Sequence, residues 1–160
     1  MKSLDDFRFL LGKNEYKPII QGGMGTNIST AEMALEVARL GGIGHISDSM
    51  VDGLADKYFG TSFLKDRFKL NRFESANRDK SGIRFEFGKL AEATKMYVED
   101  IMNKKKGTGG LFLNCMEKLT MGNPKESLKT RLSSAMDAGI DGITLAAGLH
   151  LNSFSLIKDH

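Results

Sequence analysis

Two short stretches of this 160-residue sequence put groups capable of chemistry beside exposed backbone. In the first, the apolar run Pro18-Ile19-Ile20-Gln21 breaks off at Gly22-Gly23-Met24-Gly25. Glycine on each side of Met24 lets a flat ligand approach the main chain where a side chain would block it. A tight turn accounts for the same residues. Gly23-x-Gly25 has Ile28 where a dinucleotide fingerprint carries its third glycine, and no G-x-x-x-x-G-K phosphate loop occurs. In the second stretch, Asn114 closes the apolar run Gly110-Leu111-Phe112-Leu113, where an amide is costly to bury without partners. A carboxamide donates and accepts at once, which suits the edge of a heterocyclic ring. A structural asparagine tied to a neighbouring loop is the alternative.

The remaining reactive side chains are few. His45, His150 and His160 lack carboxylate or cysteine partners at ligand spacing, so no metal site is expected. His45 falls inside an apolar run and reads as a core or rim residue. His150 follows Gly148 just past the last apolar run, on the side where a ligand is expected, and there a general base and a plain loop residue both fit. Cys115 has no base beside it in sequence and reads as a small apolar filler.

These residues need elements to position them. Pro18–Gln21 reads as a buried strand, and Ser29 with Glu32 three residues on reads as a capping box, with Ile28 stapled onto Met33. Met33, Val37 and Leu40 recur at helical spacing, Gly41 ends the helix, and 42–47 is the next strand. Strand, loop, helix and strand within about thirty residues make a parallel, right-handed βαβ unit. The grammar returns later, with 110–115 as strand and Asn123-Pro124-Lys125-Glu126 as helix start. Leu128, Leu132 and Ala135 then form the buried stripe, Gly139 closes the helix, and 142–148 is a further strand. Between the two units, residues 51–106 exceed the roughly 31 residues that one unit of a (β/α)8 barrel uses, so this segment reads as a partly helical insertion. Its second part, Lys89–Lys106, puts Leu90, Thr94, Tyr97 and Ile101 on one side and ends in three lysines, which suit the negative end of a helix dipole.

Composition bounds the function classes. The chain carries 41% hydrophobic and 27% charged residues, with 18 glycines and 2 prolines, which excludes collagen, coiled coil and wholesale disorder. One cysteine excludes an internal disulfide framework, so a reducing compartment, the cytoplasm, is expected. Acidic residues interrupt the start of the chain, and no apolar run approaches the roughly 20 residues of a membrane span, so neither secretion nor membrane insertion is expected. The net charge of +3 is concentrated in 51–106, with 13 Lys/Arg against 9 Asp/Glu. Aromatics interleave that charge at Arg67-Phe68-Lys69-Leu70-Asn71-Arg72-Phe73. Acids interrupt it, and the expectation is a solvated face with no nucleic-acid partner.

Taken together, Pro18–Gly25, Ala38-Arg39-Leu40-Gly41-Gly42-Ile43-Gly44, Leu113-Asn114-Cys115-Met116, Ala138–Ile143 and Ala147-Gly148-Leu149 resemble the nitronate monooxygenase family, formerly called 2-nitropropane dioxygenases. Phe59-Gly60-Thr61 and the run from Cys115 to Gly122 are similar to one subgroup of it. The resemblance implies an FMN-dependent (β/α)8-barrel oxidoreductase, acting on a nitronate or related carbon acid with O2. It implies that Gly23, Met24 and Gly25 lie against the isoalloxazine ring and that Asn114 hydrogen-bonds it. The histidine that acts in the family's chemistry falls at Ala146 here, and His150 is the substitute the sequence offers. Flavin-dependent enoyl-thioester reductases share the fold and are the second expectation. A catalytically silent half-barrel serving as an assembly partner is the third.

The resemblance spans residues 18–160 and about four βα units, the N-terminal half of such a barrel, and the family's FMN phosphate is held by loops of the other half. The expected fold is therefore α/β, a partial TIM-type barrel over 1–160 with a helical insertion between its second and third strands. Self-association, or pairing with the missing half, and weak FMN binding are expected with it. An inner face built from residues such as Ile20, Ile46, Leu113 and Leu145 is expected to drive that association, although alternation leaves the register of each strand open.

Overall fold

In the computed structural model of the chain, residues 3, 6–116, 121–147 and 152–160 are described. The chain opens with an antiparallel hairpin that has no counterpart among the elements expected from sequence, β1 (Phe9–Leu11) paired with β2 (Asn14–Tyr16). Its turn is allowed by Gly12, whose φ of +63° suits glycine. Three parallel strands follow, β3 (Ile43–Ser47), β4 (Gly110–Met116) and β5 (Gly142–Ala146), lying side by side in chain order. Ser47 aligns with Asn114, and Asn114 with Thr144. The protein is thus mixed α/β with a parallel sheet.

The strand expected at Pro18–Gln21 is reduced to a single parallel bridge between Ile20 and Ile43. Ile43 N–H donates to the Ile19 carbonyl at 2.8 Å, and Gln21 N–H donates to the Ile43 carbonyl at 2.9 Å. The ladder is short for two reasons. Pro18 has no N–H to give, and at the next rung the Gln21 side chain replaces backbone, its Oε1 accepting from His45 N–H at 2.9 Å.

The helices are α1 (Gly25–Ile28), α2 (Ala31–Arg39), α3 (Val51–Phe59), α4 (Phe63–Leu70), α5 (Phe87–Lys104) and α6 (Pro124–Asp137), with 3-10 turns at Glu74–Ala76 and Ser153–Ile157. Of these, α2, α3, α5 and α6 supply the layer that covers one face of the sheet, and α4 packs on α3 and α5. Ile46, Leu111, Leu113 and Cys115 point into this layer and pack with Leu90, Val98, Leu128 and Leu132. Cys115 is the buried filler expected of it. The side-chain period of two sends Ile43, His45, Phe112, Asn114 and Thr144 to the other face. There the hairpin covers one end, with Tyr16 edge-on to Phe112 in a small cluster that includes Ile43. The inner face is therefore not the one expected. Ile46, Leu113 and Leu145 pack with the helices, and Ile20 is 59% exposed. A shift of one residue in register exchanges the two faces.

Helix α2 departs from its expected face as well. Its buried positions are Ala34 and Ala38, while Met33 and Leu40 are about half exposed. The helix sits so close to β3 that a Cβ on Gly44 would run into the Ala34 backbone, so only small residues fit at the contact. Its N-cap is Thr30, whose Oγ1 accepts from Met33 N–H at 3.3 Å, and not Ser29. Ser29 is engaged in the preceding loop. At α6 the expected stripe of Leu128, Leu132 and Ala135 is buried, and Gly139 leaves the helix at φ +79°. Asn123 takes the cap position in the left-handed region and makes no side-chain cap bond.

Within 51–106, α5 buries Leu90, Thr94, Tyr97 and Ile101 as the spacing predicts. It packs on α6 and α3 and so serves as the crossover helix between β3 and β4. The extra length is held as α3, α4 and the loop to Glu86, in which Asp56 is an anchor. Its carboxylate accepts from Thr61 Oγ1 at 2.6 Å, Phe63 N–H at 2.7 Å and Leu64 N–H at 3.0 Å, satisfying the start of α4.

Candidate functional site

The glycine loop and Asn114 meet at the C-terminal ends of the strands, the edge where open parallel sheets bind ligands. The loop is tied from within by Ser29. Its hydroxyl donates to the Gly22 carbonyl at 2.7 Å and accepts from Met24 N–H at 2.7 Å and from Gln21 Nε2 at 2.9 Å. The single irregular turn of α1 follows, with Asn27 at φ +55°. Two bonds hold that turn to the neighbouring loop and helix: Thr26 Oγ1 lies 3.0 Å from Ser49 Oγ, and Tyr58 donates to Asn27 Oδ1 at 3.2 Å.

Asn114 reaches across from β4 and donates from Nδ2 to the Gly23 carbonyl at 2.7 Å. A Cβ on Gly23 would overlap the Asn114 Cβ, so the loop lies directly on the strand end and requires glycine there. Among the described residues, the N–H groups of Gly22 and Gly23 and the Oδ1 of Asn114 have no hydrogen-bond partner. Met24 projects from the same loop and is 63% exposed. The rim thus offers two donors, one acceptor and an exposed thioether around a strip of bare backbone.

His45 braces this edge from beneath. Its Nδ1 lies 2.7 Å from the Gln21 carbonyl and its Nε2 lies 2.8 Å from Thr144 Oγ1. A carbonyl only accepts, so Nδ1 carries the proton and Nε2 accepts from the threonine hydroxyl. Burial holds the imidazole below its ordinary pKa, keeping it neutral. His45 is the satisfied rim residue expected, and it ties the first extended segment to β5.

The end of β3 is fixed by a second device that the sequence did not reveal. Asp48 and Arg131 form an ion pair with both side chains only 1% exposed. Arg131 Nη2 also donates to the Met116 carbonyl at 3.0 Å and Nε to the Ser127 carbonyl at 3.1 Å. Asp48 N–H donates to the Asn114 carbonyl at 3.1 Å. This network anchors α6 to the strand ends beside Asn114, and burial lowers the guanidinium pKa below its ordinary range. Non-glycine residues with left-handed φ recur on this edge: Asn27, Met50, Asn123 and Ala147 each lie past the end of one parallel segment. Such strain costs energy, and it gathers where structure over-determines the backbone.

No family model matches this chain, and no curated protein does. The site is therefore read from its own geometry. Of the residues expected in it, Gly23, Met24, Gly25 and Asn114 come together. Ala146 ends β5 opposite Met116. His150 lies outside the described residues. Gln21, Ser29, Thr144, Asp48 and Arg131 were not expected in it; Gln21 left a trace in the sequence as the polar residue ending an apolar run, and Ser29 was marked only as a helix cap. Among the described residues no group of His, Cys, Asp or Glu could hold a metal ion. Among them, too, no helix is long and apolar enough to cross a membrane.

Proposed function

We propose that this chain forms the flavin-facing part of an FMN-dependent barrel oxidoreductase of the nitronate monooxygenase type, acting on a nitronate or related carbon acid with O2. The observation that carries the reading is the contact between Asn114 and Gly23 at the C-terminal edge of a parallel sheet, with bare loop backbone beside it. The donor set fits the edge of a flavin ring. Gly22 and Gly23 N–H would donate to ring acceptors, the Asn114 Oδ1 would accept from a ring N–H, and the absence of Cβ atoms leaves the loop flat. When bound, FMN supplies the redox chemistry, and the protein orients the substrate and tunes the ring. His45 and Thr144 keep the strand ends in register, and His45 carries no positive charge toward the ring.

Ala146 holds no proton, so proton abstraction falls to His150 in this reading. The second reading is a flavin-dependent enoyl-thioester reductase of the same fold. Reconstitution of the full chain with FMN tests the proposal. Bound flavin with nitronate-dependent O2 uptake supports the first reading, and NAD(P)H-dependent reduction of an enoyl thioester supports the second. In the first case His150→Ala lowers turnover with unchanged flavin content. No flavin binding even at saturating FMN overturns both and leaves the silent assembly partner. Ile19 and Ile20, each more than half exposed on the outer parallel segment, support the self-association expected of the chain. A monodisperse monomer by light scattering overturns that part.

A further inference from the structure

Helix α4 and the loop after it carry an uneven distribution of charge. The acids of this region are held by neighbours: Asp56 caps α4, Asp66 pairs with Lys89 and with Lys69, Glu74 accepts from Asn77, and Asp79 accepts from Ser81. Among the described residues, Lys65, Arg72, Arg78 and Arg84 have no carboxylate partner. Over residues 63–86 seven Lys/Arg stand against four Asp/Glu, so the segment carries net positive charge.

Beside them lies an open groove of about 560 Å³ lined by Asp56, Leu64, Lys65, Phe68, Lys69 and Arg72. Its floor is apolar, with Phe68 55% exposed, and its rim is cationic. The groove is built from inside. Arg67 pairs with the buried Asp52 at 2.6 Å and lies over the Phe85 ring. Asn71 is buried and donates to the carbonyls of Arg67 at 2.8 Å and Arg84 at 2.9 Å, while accepting from Arg84 N–H at 2.7 Å.

We infer that this groove docks an acidic amphipathic helix of a protein partner, with apolar side chains seated on Leu64 and Phe68 and carboxylates facing Lys65, Lys69 and Arg72. The charge complementarity rests on three cations, Lys65, Lys69 and Arg72, against one carboxylate, Asp56, among the described residues that line the groove, and that carboxylate is turned to Thr61 and to the start of α4. An open apolar strip flanked by charge is a surface on which an amphipathic helix can lay its apolar face. Nucleic acid would use the cations and leave the floor unfilled.

Fluorescence anisotropy on the full chain tests this with a labelled synthetic helix of Leu and Glu patterned amphipathically. A peptide of the same composition, scrambled to lose the pattern, is the control. Binding to the patterned peptide, weakened by salt and reduced about tenfold by Phe68→Ala and by Lys65→Glu with Arg72→Glu, is the expected result. All three side chains are exposed, so an unchanged thermal midpoint keeps the variants interpretable. Equal affinity for the scrambled peptide overturns the inference. So does insensitivity to the substitutions, or preference for poly(U) or for vesicles of phosphatidylcholine and phosphatidylserine.

Discussion

Asn114 and Gly23 hold each other in place: the carboxamide donates to the glycine carbonyl at 2.7 Å, and the glycine has no side chain because the asparagine Cβ occupies that space. One contact thus fixes the loop on the strand end and leaves the amide oxygen available to a ligand. Asn114→Ala should lower stability by about 1 to 3 kcal/mol, the cost of stranding a partly buried carbonyl. It should also weaken FMN binding. Urea denaturation and flavin fluorescence read the two effects separately. Stability loss with unchanged flavin affinity would make the asparagine purely structural.

The two neighbouring glycines should respond differently to a methyl group. At Gly22 nothing lies within 4 Å of the added Cβ, so Gly22→Ala should leave the thermal midpoint nearly unchanged while reducing flavin affinity by placing bulk on the open loop face. At Gly23 the methyl meets Asn114, and overpacking of this kind costs about 1 to 3 kcal/mol. A thermal midpoint for Gly22→Ala as low as that of Gly23→Ala would contradict the loop geometry.

His45 should make stability depend on pH in a defined direction. Its native pKa is lowered by burial from an ordinary value of 6.5, so below that pH the unfolded chain takes up a proton that the native state resists. The stability present above pH 6.5 should fall as pH drops toward the lowered native value and then level off. The slope of the thermal midpoint against pH over this window should shrink in His45→Gln. An equal slope in both proteins would place the titration elsewhere.

Breaking the Asp48–Arg131 pair from one side should be costly. Asp48→Ala leaves the guanidinium buried without its counter-ion, a change worth about 3 to 5 kcal/mol. Asp48→Leu combined with Arg131→Met removes both charges and should cost less than the single change. Denaturant midpoints for Asp48→Leu, Arg131→Met and the double variant give the coupling directly, and simple additivity would mean that the charges do not interact.

The sequence by itself determined the α/β alternation, the faces of α5 and α6, and the glycines ending α2 and α6. Those features rest on local periodicity and on backbone conformations that one residue type favours. It also marked the glycine loop and Asn114 as groups worth placing, because bare backbone and a terminal amide stand out in apolar surroundings. Which face each strand turns to the helices was decided only in three dimensions. Ile46, Leu113 and Leu145 are apolar, as are Ile43 and Phe112 on the opposite face, and alternation within a nearly continuous apolar run carries no register. The same holds for α2, where Ala34 and Ala38 displaced the larger Met33 and Leu40 because the strand passes too close for bulk. Ser29 was taken from a helix cap by a loop that folds back on it. The Asp48–Arg131 pair and the His45 bridge join residues 83 and 99 positions apart, contacts that no local pattern encodes and that packing of β3 against its neighbours creates.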